Sequence, residues 1–141
     1  IKSYQDFVNL VPLFDYEAFK PYIEKTMTGK QNVIWSSEIE WFAKSSGTTS
    51  SRSKYIPVSE ESLEECHYKG GKDMVSIYVN NYPDSKLFTG KSLSIGGTLE
   101  KNPLNPQGTA RAGDVSAVIM QNLPIWAQFA RTPSLEIALM G

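Results

Sequence analysis

A chain of 141 residues, 40% hydrophobic and 21% charged, is sized and composed for one globular domain and excludes a disordered polypeptide. A net charge of −1 argues against nucleic acid as a partner, because such surfaces are basic. The single cysteine, Cys66, excludes an intrachain disulfide and a cysteine-rich metal site; with no apolar run of about 18 residues, this points to the cytoplasm and to no membrane partner. The chain opens on Ile1-Lys2-Ser3-Tyr4 and stops in the apolar stretch Leu135–Gly141, so it reads as a partial domain, residues 1–141, cut from something longer.

Ser3 is placed to cap a short helix carrying Tyr4, Phe7, Val8 and Leu10. Val11–Tyr16 reads as an extended or turn segment, since the residue before Pro12 is pushed out of the helical region. Pro21 suits the first turn of a second helix, whose apolar face is Tyr22, Ile23 and Met27 and whose stop is Gly29. Ile39, Trp41 and Ala43 alternate with Glu40, Phe42 and Lys44, which predicts a strand near 40–44. Tyr55-Ile56-Pro57-Val58 predicts a second, and the polar run 45–54 between them makes the unit a hairpin.

Ser59 caps the next helix, with Glu60 and Glu61 at its positive end. Leu63, His67, Gly70, Met74, Ile77 and Tyr78 step by three and four along one face. Gly70-Gly71 in mid-helix marks a close contact or a kink, and Asn80–Asp84 ends the helix. Lys91–Thr98 reads as a strand running into a glycine turn. Residues 100–113, with two each of Pro, Gly and Asn, read as one long loop. Asp114–Arg131 reads as helical, broken or kinked at Pro124. Helices interleaved with short strands give an α/β or α+β domain, helices packed on a mixed sheet.

The run 45–54 carries the chemistry. It combines hydroxyls, one glycine, Arg52 and Lys54. Backbone N–H groups in a tight glycine turn converge on an anion, hydroxyls add neutral donors, and the two cations supply charge. The Gly-Lys-Ser/Thr ending of a Walker loop is missing, and a strand rather than a helix comes next. On residue types alone the run is either an anion cradle or a polar hairpin tip.

Ser45-Ser46-Gly47-Thr48-Thr49-Ser50, closed by Lys54, resembles the phosphate-binding signature of adenylate-forming enzymes. Together with Ala18-Phe19-Lys20-Pro21-Tyr22-Ile23-Glu24, Trp41-Phe42-Ala43-Lys44 and Tyr55-Ile56-Pro57-Val58-Ser59, it resembles the Gretchen Hagen, or auxin-responsive promoter, family of acyl-acid amido synthetases. The likeness is strongest over 16–70. It implies a fragment of a large N-terminal adenylating domain, with the phosphate loop in a β-hairpin and the smaller closing domain outside the chain. It implies ATP and Mg2+, a carboxylic acid and an amino acid as substrates, and amide formation through an acyl-adenylate. Ser45, Ser46, Gly47, Thr48, Thr49, Ser50, Ser51, Arg52 and Lys54 would then bind the ATP phosphates. Gly96, Gly97 and Thr98, in themselves a second anion cradle or the tight end of a strand, would stand on the acyl-substrate side. The fragment alone is expected to be inactive. Alternatives are an acyl- or aryl-CoA ligase and a non-catalytic nucleotide-binding module.

The remaining residues read as structural. His67 and Cys66 are expected to pack in the core, as are Trp126 and Phe129. Arg111 and Asp114, which flank Gly113, pair with each other or with substrate, an exposed ion pair being the default expectation. Glu60, Glu61, Glu64 and Glu65 read as a solvated helix start rather than a metal site.

Overall fold

A computed structural model describes residues 1–47 and 53–138, apart from the side chain of Trp126. Helix α1 (Tyr4–Leu10) starts in a capping box: the Asp6 N–H donates to Ser3 Oγ and the Ser3 N–H donates to Asp6 Oδ2, each at 3.1 Å. Helix α2 spans Tyr16–Met27, so it begins one turn and more before Pro21. The reason is Asp15, whose Oδ1 accepts the Ala18 N–H at 2.9 Å and caps the helix first. Pro21 therefore lies inside α2. Gly29 ends it with φ +95°, a left-handed conformation that glycine adopts at little cost.

The expected hairpin is formed. Strands β1 (Trp41–Lys44) and β2 (Tyr55–Val58) pair antiparallel, with Lys44 opposite Tyr55. Residues 100–113 are not one loop. Their ends are strands, β4 (Leu99–Lys101) and β5 (Arg111–Gly113), paired antiparallel. Strand β5 also lies parallel to β1, so one mixed sheet runs in the order β2-β1-β5-β4. The strand expected over 91–98 is reduced to β3 (Ser92–Leu93), which pairs with β6 (Arg131–Thr132) in a separate ribbon.

Successive residues of β1 point to opposite faces of this sheet. On one face Phe42 and Ala112 bury Ile23 and Met27 of α2 together with Ile39. On the other, Ala43 and Val58 meet Leu63 and Val118. Val118 belongs to α5 (Val115–Gln121), and Leu63 opens a π-helical stretch, Leu63–Tyr68. The result is a helix–sheet–helix sandwich, an α/β arrangement.

The π stretch is wedged between α3 (Glu60–Ser62), capped by Ser59, and α4 (Lys69–Asn81). It splits the expected single helical face. Leu63 is buried, whereas Met74 and Ile77 of α4 are exposed. Gly70 and Gly71 mark no close contact: a Cβ on either would meet nothing within 4 Å. The break at Pro124 is real, and α6 (Ile125–Phe129) starts beyond it, followed by α7 (Leu135–Ala138). Two expected core residues lie outside, Cys66 being exposed and Phe129 77% exposed, while the side chain of Trp126, expected in the core as well, lies outside the described residues. Arg131 is buried, and its guanidinium nitrogens have no hydrogen-bond partner among the described residues. Among the described residues no helix is long and apolar enough to cross a membrane.

Candidate functional site

The hairpin neck fixes where the signature run emerges. Beyond the last strand pair the Ser45 N–H donates to the Lys54 carbonyl, and the Lys54 N–H donates to Ser45 Oγ, both at 2.9 Å. The two ends of the run are thus tied together on a stiff ladder. Of the expected phosphate-binding residues, Ser45, Ser46, Gly47 and Lys54 stand at this neck; Thr48, Thr49, Ser50, Ser51 and Arg52 lie outside the described residues.

Helix α2 meets the neck through its first residue. The Tyr55 N–H donates to the Tyr16 hydroxyl at 2.9 Å, and that hydroxyl donates to the Tyr55 carbonyl at 3.4 Å. The Lys54 ammonium stands over the Tyr16 ring, 4.9 Å from its centroid. No carboxylate lies within 4.0 Å of it among the described residues. Beside this group a cavity of about 400 Å³ opens, walled by Tyr16, Lys20, Ile23, Met27, Lys54 and Leu104. Lys20 is engaged by Glu24 at 3.9 Å, an exposed pair of little energetic consequence. Glu17 and Glu24 also stand in this wall, so the cavity beside Lys54 carries both signs of charge. Among the described residues no cluster of three or more His, Cys, Asp or Glu is placed to hold a metal.

A second, more apolar cavity of about 540 Å³ lies between α4 and the α5–α6 corner. Its walls include Tyr68, Met74, Val75, Phe88, Ile119 and Leu123. The Tyr68 hydroxyl donates to the Ile119 carbonyl at 3.0 Å and ties the two sides together. Burial, and then the nearby Glu64 charge, push this phenol up to about 12. His67 is half-buried in the same wall rather than enclosed in the core. Gly96 and Gly97 pack on the adjoining flank of α5. A Cβ on Gly96 would strike Met120 and one on Gly97 would strike Asp114, and the Gly97 N–H donates to Ser116 Oγ at 3.3 Å. Thr98 leads directly into β4.

The expected Arg111–Asp114 pair is not made. Arg111 Nη1 instead donates to the carbonyls of Gly108, Thr109 and Ala110, holding its own loop. Glu61 is not merely solvated: the Trp35 indole N–H and the Ser37 hydroxyl donate to its Oε2, at 3.2 and 2.9 Å. Its own backbone N–H, then the Ser37 hydroxyl, hold this carboxyl below the usual range. Tyr16 and the Phe88 and Leu123 walls carry no signal in the sequence. Tyr16 is 39 residues from Tyr55, and no spacing rule connects them.

The GH3 family N-terminal domain matches residues 1–141. Indole-3-acetic acid-amido synthetase GH3.17 of Arabidopsis thaliana is 36% identical over 64 residues, which is 45% of this chain and 10% of that protein. Two solved structures share the fold. The AtGH3.15 acyl acid amido synthetase in complex with 2,4-DB superposes with a TM-score of 0.68 at 22% identity, over 84% of this chain and 20% of that one. The GH3.15 acyl acid amido synthetase gives a TM-score of 0.63 at 24% identity, over 85% and 21%. The chain thus spans about a tenth to a fifth of the length of these relatives.

Proposed function

We propose a function for a chain that belongs to the GH3 family, in the part that forms its N-terminal domain: the complete protein is an ATP-dependent, cytoplasmic acyl acid amido synthetase, and this chain supplies its phosphate loop. Family membership is the observation that carries the reading. The carboxylate oxygen of the acid attacks the α-phosphorus of ATP, and the bond to the pyrophosphate oxygen breaks. The neutral amine of an amino acid then attacks the acyl carbon, loses a proton, and AMP leaves. Mg2+, when bound, neutralises phosphate charge. Ser45, Ser46, Gly47, Thr48, Thr49, Ser50, Ser51, Arg52 and Lys54 hold the β- and γ-phosphates so that the α-phosphorus stands still for attack, which is catalysis by positioning and charge. The closed neck, with hydroxyls on one strand and a lysine on the other, supports that role.

The apolar body of the acid has its place in the cavity between α4 and the α5–α6 corner, whose walls are mostly hydrocarbon. Gly96, Gly97 and Thr98 flank it across α5 as the acyl-substrate side. In the complete enzyme, Lys54→Ala and Thr48→Ala each cut ATP–pyrophosphate exchange by about tenfold or more, equivalent to about 1.4 kcal/mol of transition-state stabilisation. Unchanged exchange in both overturns the assignment. Supplying ATP and an acid with either CoA or mixed amino acids separates amide synthesis from thioester synthesis.

A further inference from the structure

We propose that Tyr16 is a positioning residue for the phosphate loop, whose ring sets where the Lys54 ammonium stands. The inference rests on the reading of 45–54 as a phosphate loop and adds a residue that the signature does not contain. Tyr16 is itself immobilised: it is the first residue of α2, and Asp15 caps that helix through the Ala18 N–H. Its hydroxyl engages both backbone groups of Tyr55, the residue after Lys54. Ser45 engages both backbone groups of Lys54 from the opposite side. The lysine backbone is therefore held from both directions, and its side chain is left to reach over the ring, 4.9 Å from the centroid.

The chemistry of the contact suits the task. A free lysine carries rotamer entropy, which a loose side chain must lose again whenever it meets a phosphate. A carboxylate partner would restrict the side chain but would also consume its N–H donors and cancel its charge. An aromatic face attracts the cation through its quadrupole and leaves the ammonium donors for oxygen ligands. Among the described residues Lys54 has the ring and no carboxylate within 4.0 Å. The hydroxyl and the ring thus have separate duties, one on the strand and one on the lysine.

The test uses the complete enzyme with Tyr16→Phe, Tyr16→Leu and Tyr16→Met. All three lose the hydroxyl, so damage to β2 is common to them and only the ring distinguishes them. In ATP–pyrophosphate exchange the Phe variant keeps KM for ATP within about twofold of its parent. The Leu and Met variants raise it about three- to fivefold, with KM for the acid unchanged. Progressive fluorination of a phenylalanine at position 16 raises KM for ATP stepwise, which no packing role does. Independently, the Lys54 side-chain methylene protons, assigned by their loss in Lys54→Met, show an upfield ring-current shift in the parent and the Phe variant, and none in the Leu variant. Absence of that shift in the parent overturns the inference and leaves the phosphate-loop reading intact. A shift present with KM unmoved by Leu, Met and fluorination, while Lys54→Ala still impairs exchange, also overturns it. Exchange indifferent to Lys54→Ala overturns the phosphate-loop reading itself.

Discussion

Replacing Asn102 tests how the loop between β4 and β5 is fastened to α2. Asn102 is 0% exposed. Its Nδ2 donates to the Met27 carbonyl at 2.7 Å, and its Oδ1 accepts the Leu104 N–H at 3.1 Å. One side chain thereby satisfies the last carbonyl of α2 and opens the turn that places Leu104 in the cavity wall. Asn102→Ala leaves one donor and one acceptor without this partner, each costing about 1–3 kcal/mol. The expected loss is about 2–6 kcal/mol, a large share of the about 5–15 kcal/mol that holds a domain together. Asn102→Asp separates the two bonds. It keeps the acceptor for Leu104 but sets a carboxylate oxygen against the Met27 carbonyl. At neutral pH its loss therefore exceeds that of Ala. As pH falls the carboxyl protonates and donates to Met27, so the gap from the parent narrows. Urea unfolding followed by circular dichroism across pH measures both. A loss below about 1 kcal/mol for Asn102→Ala, or an Asp variant no worse than Ala at neutral pH, refutes the reasoning.

Packing and titration set four further outcomes. Gly113→Ala drives a Cβ into the Thr98 carbonyl, backbone that cannot yield without breaking β4; it costs about 2–4 kcal/mol. Gly70→Ala, with open space around it, gains about 0.4–1 kcal/mol, and the two melting temperatures move in opposite directions. Tyr68 ionises at about 12 in the folded chain against 10.0 ordinarily, so its contribution to stability is complete below pH 10 and is lost between pH 10 and 12; phenolate absorbance reads the titration, and Tyr68→Phe removes that alkaline limb. The Glu61 carboxyl is held below 4.5, so its contribution is present above that pH and fades as pH falls through the lower folded value; Glu61→Gln flattens this acid dependence in urea titrations.

What the sequence made legible was local. The Ser3 and Ser59 caps, the Gly29 stop and the β1–β2 alternation each lie within a few residues of the backbone they govern. The β4–β5 pair was not legible: three residues are too few to display a period of two, and their place in the sheet depends on β5 lying beside the distant β1. The π stretch was hidden because an extra residue per turn leaves the spacing of Leu63, His67 and Gly70 unchanged on paper while re-aiming the side chains of α4. Pro21 misled, since its fitness for a first turn says nothing of a stronger cap at Asp15. At the site, the resemblance named the loop, and the cavity between α4 and the α5–α6 corner arose only once Phe88 and Leu123 were brought to it by tertiary packing.

The bond from Tyr55 to Tyr16 also bears on how this chain avoids its own kind. Strand β2 is an outer strand of the sheet, and such borders recruit foreign strands through bare N–H groups. Tyr55 points its N–H away from β1, and by the two-residue alternation Pro57 faces the same way. The first group is already taken by a phenol, and the second does not exist in proline. That border therefore presents no vacant N–H donor along Tyr55–Val58, which disfavours the docking of a foreign strand next to the loop's lysine.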